Sequence, residues 1–186
     1  MSRFLTLGLT LAALAMPTLA QQSGTQGKPF DVRSSVGDMH VGSDATAEKA
    51  GLPLYPGAQP KHEDSNDPLN FGILTENFGL KLVVAKYQSD DPPAKILAFY
   101  RDKLKKYGKV LECHTHEGGG GHTDWNDDEQ KSKELKCDGD NTGPTTELKA
   151  GTEDNQHIVA VDPRDDGKKS EFVIVYLYSR GKKADI

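Results

Sequence analysis

Few of the features that announce a function are present in this chain of 186 residues. After residue 20 no apolar run approaches the roughly 20 residues that a membrane-crossing helix requires, so no transmembrane segment is expected. No Gly-x-Ser-x-Gly turn presents a nucleophile. The four-glycine stretch "EGGGGHTD" lacks the lysine and hydroxyl that follow a phosphate loop, and its flanks are acidic. Lys and Arg total 23 against 28 Asp and Glu, a formal net charge of −5. The two most basic stretches, "RDKLKKYGK" and "RGKK", alternate with acids or sit at the terminus, which argues against nucleic acid or an anionic membrane as partner. There are two cysteines, Cys113 and Cys137, too far apart for a short metal-ligand spacing.

What is there begins with an address. Residues 1–20, "MSRFLTLGLTLAALAMPTLA", carry an early cation at Arg3, an apolar run of 13 residues over 4–16, and small residues before the end, which is the pattern of an export signal. Cleavage after Ala20 would leave 166 residues with 22 basic groups against 28 acidic ones. With no cysteine at the cleavage point for a lipid anchor, the expected location is secreted or periplasmic. In an oxidising compartment the default for two cysteines is a Cys113–Cys137 disulfide, closing a loop of 25 residues worth roughly 3–4 kcal/mol.

Residues 21–44 are rich in Gln, Ser, Gly and Lys with isolated apolar residues, and read as a disordered leader. Residues 45–186 fit one domain. "GLPLYPGAQP" is barred from helix by its prolines and should lay Leu52, Leu54 and Tyr55 along the core. "LNFGILTE" and "FGLKLVVAKYQS" predict a hairpin. "SDDPPAKILAFYRDKLKKYG" predicts an amphipathic helix over about 91–107, capped by Asp91 and ended by Gly108, with Ile96, Phe99, Tyr100, Leu104 and Tyr107 on its apolar stripe. "KVLECHT" and "KELKCD" read as short strands joined by the cysteines, and 145–149 as a weaker extended candidate. "HIVAVDP" and "EFVIVYLYS" form a second hairpin through "RDDGKK"; the latter is apolar on both faces and so belongs at the sheet centre. The expected fold class is α+β: a mostly antiparallel sheet with one main helix packed on one face.

"GLPLYPGAQP", the strand pair after it, "SDDPPAKILAFYRDKLKKYGKVLEC" and "LKAGTEDNQHIVAV" together resemble a group of uncharacterised exported bacterial proteins with a Tyr-Pro-Gly-Ala segment ahead of a Phe-Tyr helix. The resemblance covers most of 51–175. It supports the architecture and carries no activity.

One stretch suggests chemistry. In "ECHTHEGGGGHTDW", His114 and His116 alternate on an expected strand and His122 follows the glycines, so three imidazoles could bind zinc or copper with an open position. No carboxylate is committed by spacing to a ligand or base role, and the glycines favour a flexible loop pinned at its base by the cysteines. "DGDNTGPTTELK" opens like a calcium loop at Asp138, Asp140, Thr142 and Gly143 but ends on Lys149 where a glutamate is needed. Paired carboxylates at Asp90-Asp91, Asp127-Asp128 and Asp165-Asp166 all fall in polar loops. The reading this supports is a non-enzymatic binding or cell-envelope-associated module. The alternative is a metal-binding protein or metal-dependent enzyme using His114, His116 and His122.

Overall fold

The computed structural model describes residues 29–61, 68–116, 134–137 and 139–181. Among these, nine strands and one helix are laid out in the chain order β1 (Phe30–Ser34), β2 (Gly37–Gly42), β3 (Gln59–Pro60), β4 (Leu69–Thr75), β5 (Gly79–Ser89), α1 (Pro93–Leu104), β6 (Leu111–Thr115), β7 (Thr145–Thr152), β8 (Asn155–Arg164) and β9 (Lys169–Arg180). They form one antiparallel sheet in the order β1-β2-β4-β5-β9-β8-β7-β6, with β3 pairing onto β5. The sheet dominates and the single helix lies on one face.

The β-branched and aromatic runs of β5, β8 and β9 become the centre because each has apolar residues on both sides. β5 and β9 pair along eleven positions, from Gly79 opposite Arg180 to Ser89 opposite Ser170. The β8–β9 turn places Asp165, Asp166 and Gly167 at φ of 48°, 53° and 80°, a run tolerated by Asp and Gly. The hairpin expected from "LNFGILTE" and "FGLKLVVAKYQS" is the β4–β5 pair.

Helix α1 packs over β7, β8 and β9. Ile96, Tyr100 and Leu104, spaced by four, are fully buried, and a short 3₁₀ turn over Lys105–Tyr107 ends at Gly108, whose φ is 127°. Asp91 does not cap the helix. Pro92 is the cap residue and its carbonyl accepts the Lys95 N–H, so Asp91 lies one position too early and its carboxylate instead accepts from Tyr55 Oη at 2.9 Å and Lys95 Nζ at 2.6 Å.

The proline-rich segment before β3 is held to the core by aromatic side chains as much as by packing. Tyr87 Oη accepts the Ala47 N–H at 2.9 Å and Tyr100 Oη accepts the Tyr55 N–H at 3.1 Å. Tyr107 donates to the Gly51 carbonyl at 2.6 Å, and His157 Nδ1 lies 2.9 Å from the Ala50 carbonyl. Gly51 has φ +80°, and a Cβ there would stand 2.5 Å from Tyr107 Oη, so only glycine fits. Leu52 and Tyr55 are buried as expected, whereas Leu54 is exposed.

Two further expectations are corrected. Residues 30–42 are not a disordered leader: β1 and β2 form a hairpin that adds to the sheet through β4. Phe30, Val32, Met39 and Val41 alternate with polar residues, a strand pattern too short to outweigh the polar composition until β4 offers a template. The described part of "KELKCD", 134–137, is also not a strand and has no regular structure, and β6 pairs instead with β7, from Leu111 opposite Lys149 to Thr115 opposite Thr145. The disulfide itself forms, with the Cα atoms of Cys113 and Cys137 5.4 Å apart. Glu147, directly across from Cys113, makes an ion pair at 3.3 Å with Lys149, both nearly inaccessible, on the face away from the helix. Among the described residues no helix is long and apolar enough to cross a membrane.

Candidate binding groove

Strand register determines where the sheet is open on its helix-bearing face. Gly72 of β4 lies directly between His40 of β2 and Lys81 of β5, and Lys81 in turn lies opposite Tyr178 of β9. Positions opposite one another share a face, so His40, Gly72, Lys81 and Tyr178 make one row, and Gly72 is the position in it without a side chain. Helix α1 covers the other half of the sheet. The result is a groove of about 430 Å³ floored by the backbone of β4 around Gly72. Asp31, His40 and Asn70 line one side and Lys81 and Tyr178 the other, with Arg33, Asp38 and Leu74 at the rim. A Cβ added at Gly72 would meet only the Leu80 carbonyl oxygen, at 3.9 Å, so the space above it is empty. The volume falls in the range of about 300–1,000 Å³ found for small-molecule sites.

The wall formed by β1, β2 and the following loop is rigidified by a polar network. His40 Nδ1 is 2.7 Å from Asp31 Oδ1, and Nε2 faces Asp44 Oδ1 at 3.4 Å and the Asn70 amide nitrogen at 3.0 Å. Asn70 also donates to Asp44 at 3.1 Å, and Lys49 donates to the second Asp44 oxygen. The hydrogen bond to Asp31 does most to stabilise the imidazolium and raise the His40 pKa above its ordinary 6.5; burial opposes it, and Asp44 adds to the rise. The Lys49 ammonium, helped by Asn70 and His40, lowers Asp44 to about 2. Both ring nitrogens of His40 are therefore engaged, which leaves the residue better suited to holding the wall than to exchanging protons with a ligand.

The opposite wall is different. Lys81 Nζ rests 5.3 Å from the centroid of the Tyr176 ring, and among the described residues it has no carboxylate partner. Its neighbours across the two flanking strands are Gly72 and Tyr178. Leu74, which is 48% exposed, and the Tyr178 ring supply apolar surface beside this ammonium.

The residues singled out by sequence lie elsewhere. His114 is on β6 opposite Thr146; its N–H donates to Asn141 Oδ1 at 2.6 Å and its Nε2 is 4.0 Å from Glu112. β6 ends at Thr115, so strand alternation does not align His116 with His114. His116 Nε2 instead sits 3.1 Å from Thr142 Oγ1 and 3.9 Å from Asp140. His122 lies outside the described residues. Among the described residues no group of three or more His, Cys, Asp or Glu has the geometry to hold a metal ion. The groove residues were missed because Asp31, His40 and Asp44 fell in the presumed leader. The available signal was Gly72, an isolated glycine within a strand, which often marks a close approach by another group.

Comparison of the chain with models of protein families, with curated proteins and with solved structures found no match.

Proposed function

We propose that this is an exported, non-enzymatic binding module that takes a small ligand into the groove above Gly72. The observation that carries the reading is the side-chain-free position between the braced His40 wall and the Lys81–Tyr178 wall. Export is supported by the signal-like residues 1–20 and by the Cys113–Cys137 disulfide, which suits an oxidising compartment. The nitrogens of His40 face Asp31, Asp44 and Asn70, an arrangement that suits a structural brace of the groove wall.

The test is a fragment screen by protein-observed NMR. Hits should shift amides of β2 and β4 around His40 and Gly72, and should be lost in Gly72→Val. Valine has an ordinary strand conformation available at this position and open space for its side chain, so the fold should survive. Hits that map elsewhere, or persist in the variant, refute the groove. Protein purified without chelators should carry no stoichiometric metal; bound zinc or copper lost in His114→Ala/His116→Ala would favour the metal reading instead.

A further inference from the structure

We infer that the groove selects an amphipathic organic monoanion: a carboxylate, received by Lys81 and Tyr178, carrying an apolar chain that lies along β4 over Gly72. This rests on the groove being the binding site and adds the chemistry of what enters it.

The inference follows from which polar groups are already satisfied. Asp31 Oδ1 is engaged by His40, and Asp44 by Lys49, Asn70 and His40, so each of these carboxylates already has a hydrogen-bonding partner on its own wall. On the opposite wall the ammonium of Lys81 has no carboxylate partner among the described residues. None of its cross-strand neighbours on this face is acidic: Gly72 and Tyr178 stand opposite, and Asn70, Leu74, Tyr176 and Arg180 lie diagonally. The Arg180 guanidinium donates to the Thr75 carbonyl, which adds positive charge on that side without neutralising Lys81. Asp38, the other acid lining the groove among the described residues, stands on β2 directly across from Arg33. Charge complementarity therefore favours one negative group at the Lys81 wall, where the Tyr178 hydroxyl can donate a second bond to the same carboxylate. The remaining surface is rich in carbon: the strand backbone with no side chain at Gly72, exposed Leu74, and the Tyr178 ring. A short alkyl chain covers that surface with no polar group left to satisfy.

The test uses three eight-carbon probes on the oxidised chain, octanoate, octanol and octylammonium, followed by NMR titration of the amides around Gly72. Octanoate should bind most tightly and octylammonium least. Lys81→Met should weaken octanoate by roughly 10- to 100-fold, the loss of one charge-assisted hydrogen bond, while leaving octanol within about twofold. Tyr178→Phe should weaken octanoate by a smaller factor and spare octanol. Unchanged thermal unfolding of both variants excludes a folding defect. Octanol or octylammonium binding as well as octanoate, or octanoate binding that ignores Lys81→Met, overturns the monoanion assignment. If such binding is still lost in Gly72→Val, the groove stands as a site for another class of ligand. Octanoate binding that persists in Gly72→Val overturns the groove itself, and no octanoate binding at millimolar concentration overturns the monoanion while leaving the fragment screen to judge the groove.

Discussion

Removing a single oxygen, in Tyr100→Phe, should destabilise the protein although every ring contact is kept. Tyr100 is fully buried; its ring meets Phe99 edge-on at 5.0 Å between centroids and tilts against Phe172 at 5.7 Å. Phenylalanine preserves both contacts. What is lost is the acceptor for the Tyr55 N–H, 3.1 Å away, in a segment whose prolines give it few backbone partners of its own. An amide stranded in a buried site costs about 1–3 kcal/mol. At about 2–4 °C per kcal/mol for a domain of this size, the unfolding midpoint should fall by about 2–12 °C. The cost should be local as well: the Tyr55 amide, protected in the parent, should exchange with solvent much faster in the variant. Burial pushes the Tyr100 phenol well above its usual range, so it stays a neutral phenol through moderately alkaline pH. A variant as stable as the parent, with the Tyr55 amide equally protected, would refute the claim that this hydrogen bond anchors the segment.

Leu104→Ala should cost about 2–5 kcal/mol in urea unfolding, because the side chain is fully buried at the foot of α1; a loss typical of a surface site would contradict its place in the core. Reduction of Cys113–Cys137 should lower the unfolding midpoint by the equivalent of roughly 3–4 kcal/mol from the freed loop, and alkylation of the oxidised protein should detect no thiol. The two histidines should respond to pH with opposite signs. His40 has a raised pKa, so its stabilisation of the β1–β2 hairpin is full below 6.5 and lost as pH climbs through the folded value; corrected amide protection in β2 should fall over that window, and His40→Gln should flatten the profile. His157 is depressed by burial, with the nearby Lys106 adding to the effect, so its contribution is full above 6.5 and lost as pH falls through the folded value, because the charged ring is poorly solvated where it stacks on Tyr107 and Tyr176.

Local pattern made several elements readable without a structure. The spacing of Ile96, Tyr100 and Leu104 specified the helix and its buried stripe because helical period is a property of the chain itself. The doubly apolar run of β9 located the sheet centre for the same reason, and the two cysteines pointed to their bond. Other features depended on partners that sequence order does not reveal. The apolar alternation of β1 and β2 is too sparse to outweigh a polar composition until β4 supplies the template, and 145–149, a weak strand by itself, becomes β7 because β6 and β8 flank it. Asp91 resembles a helix cap until the position of Pro92 shifts the cap by one residue and Tyr55 claims its carboxylate. The groove is the clearest instance. Asp31, His40, Gly72, Lys81 and Tyr178 are scattered over nearly 150 positions of sequence, and only strand register places them in one row. A hydrogen-bonding ladder joins residues by alignment, not by distance along the chain, so the helix and central strand were determined by the sequence alone, and the site by the tertiary structure.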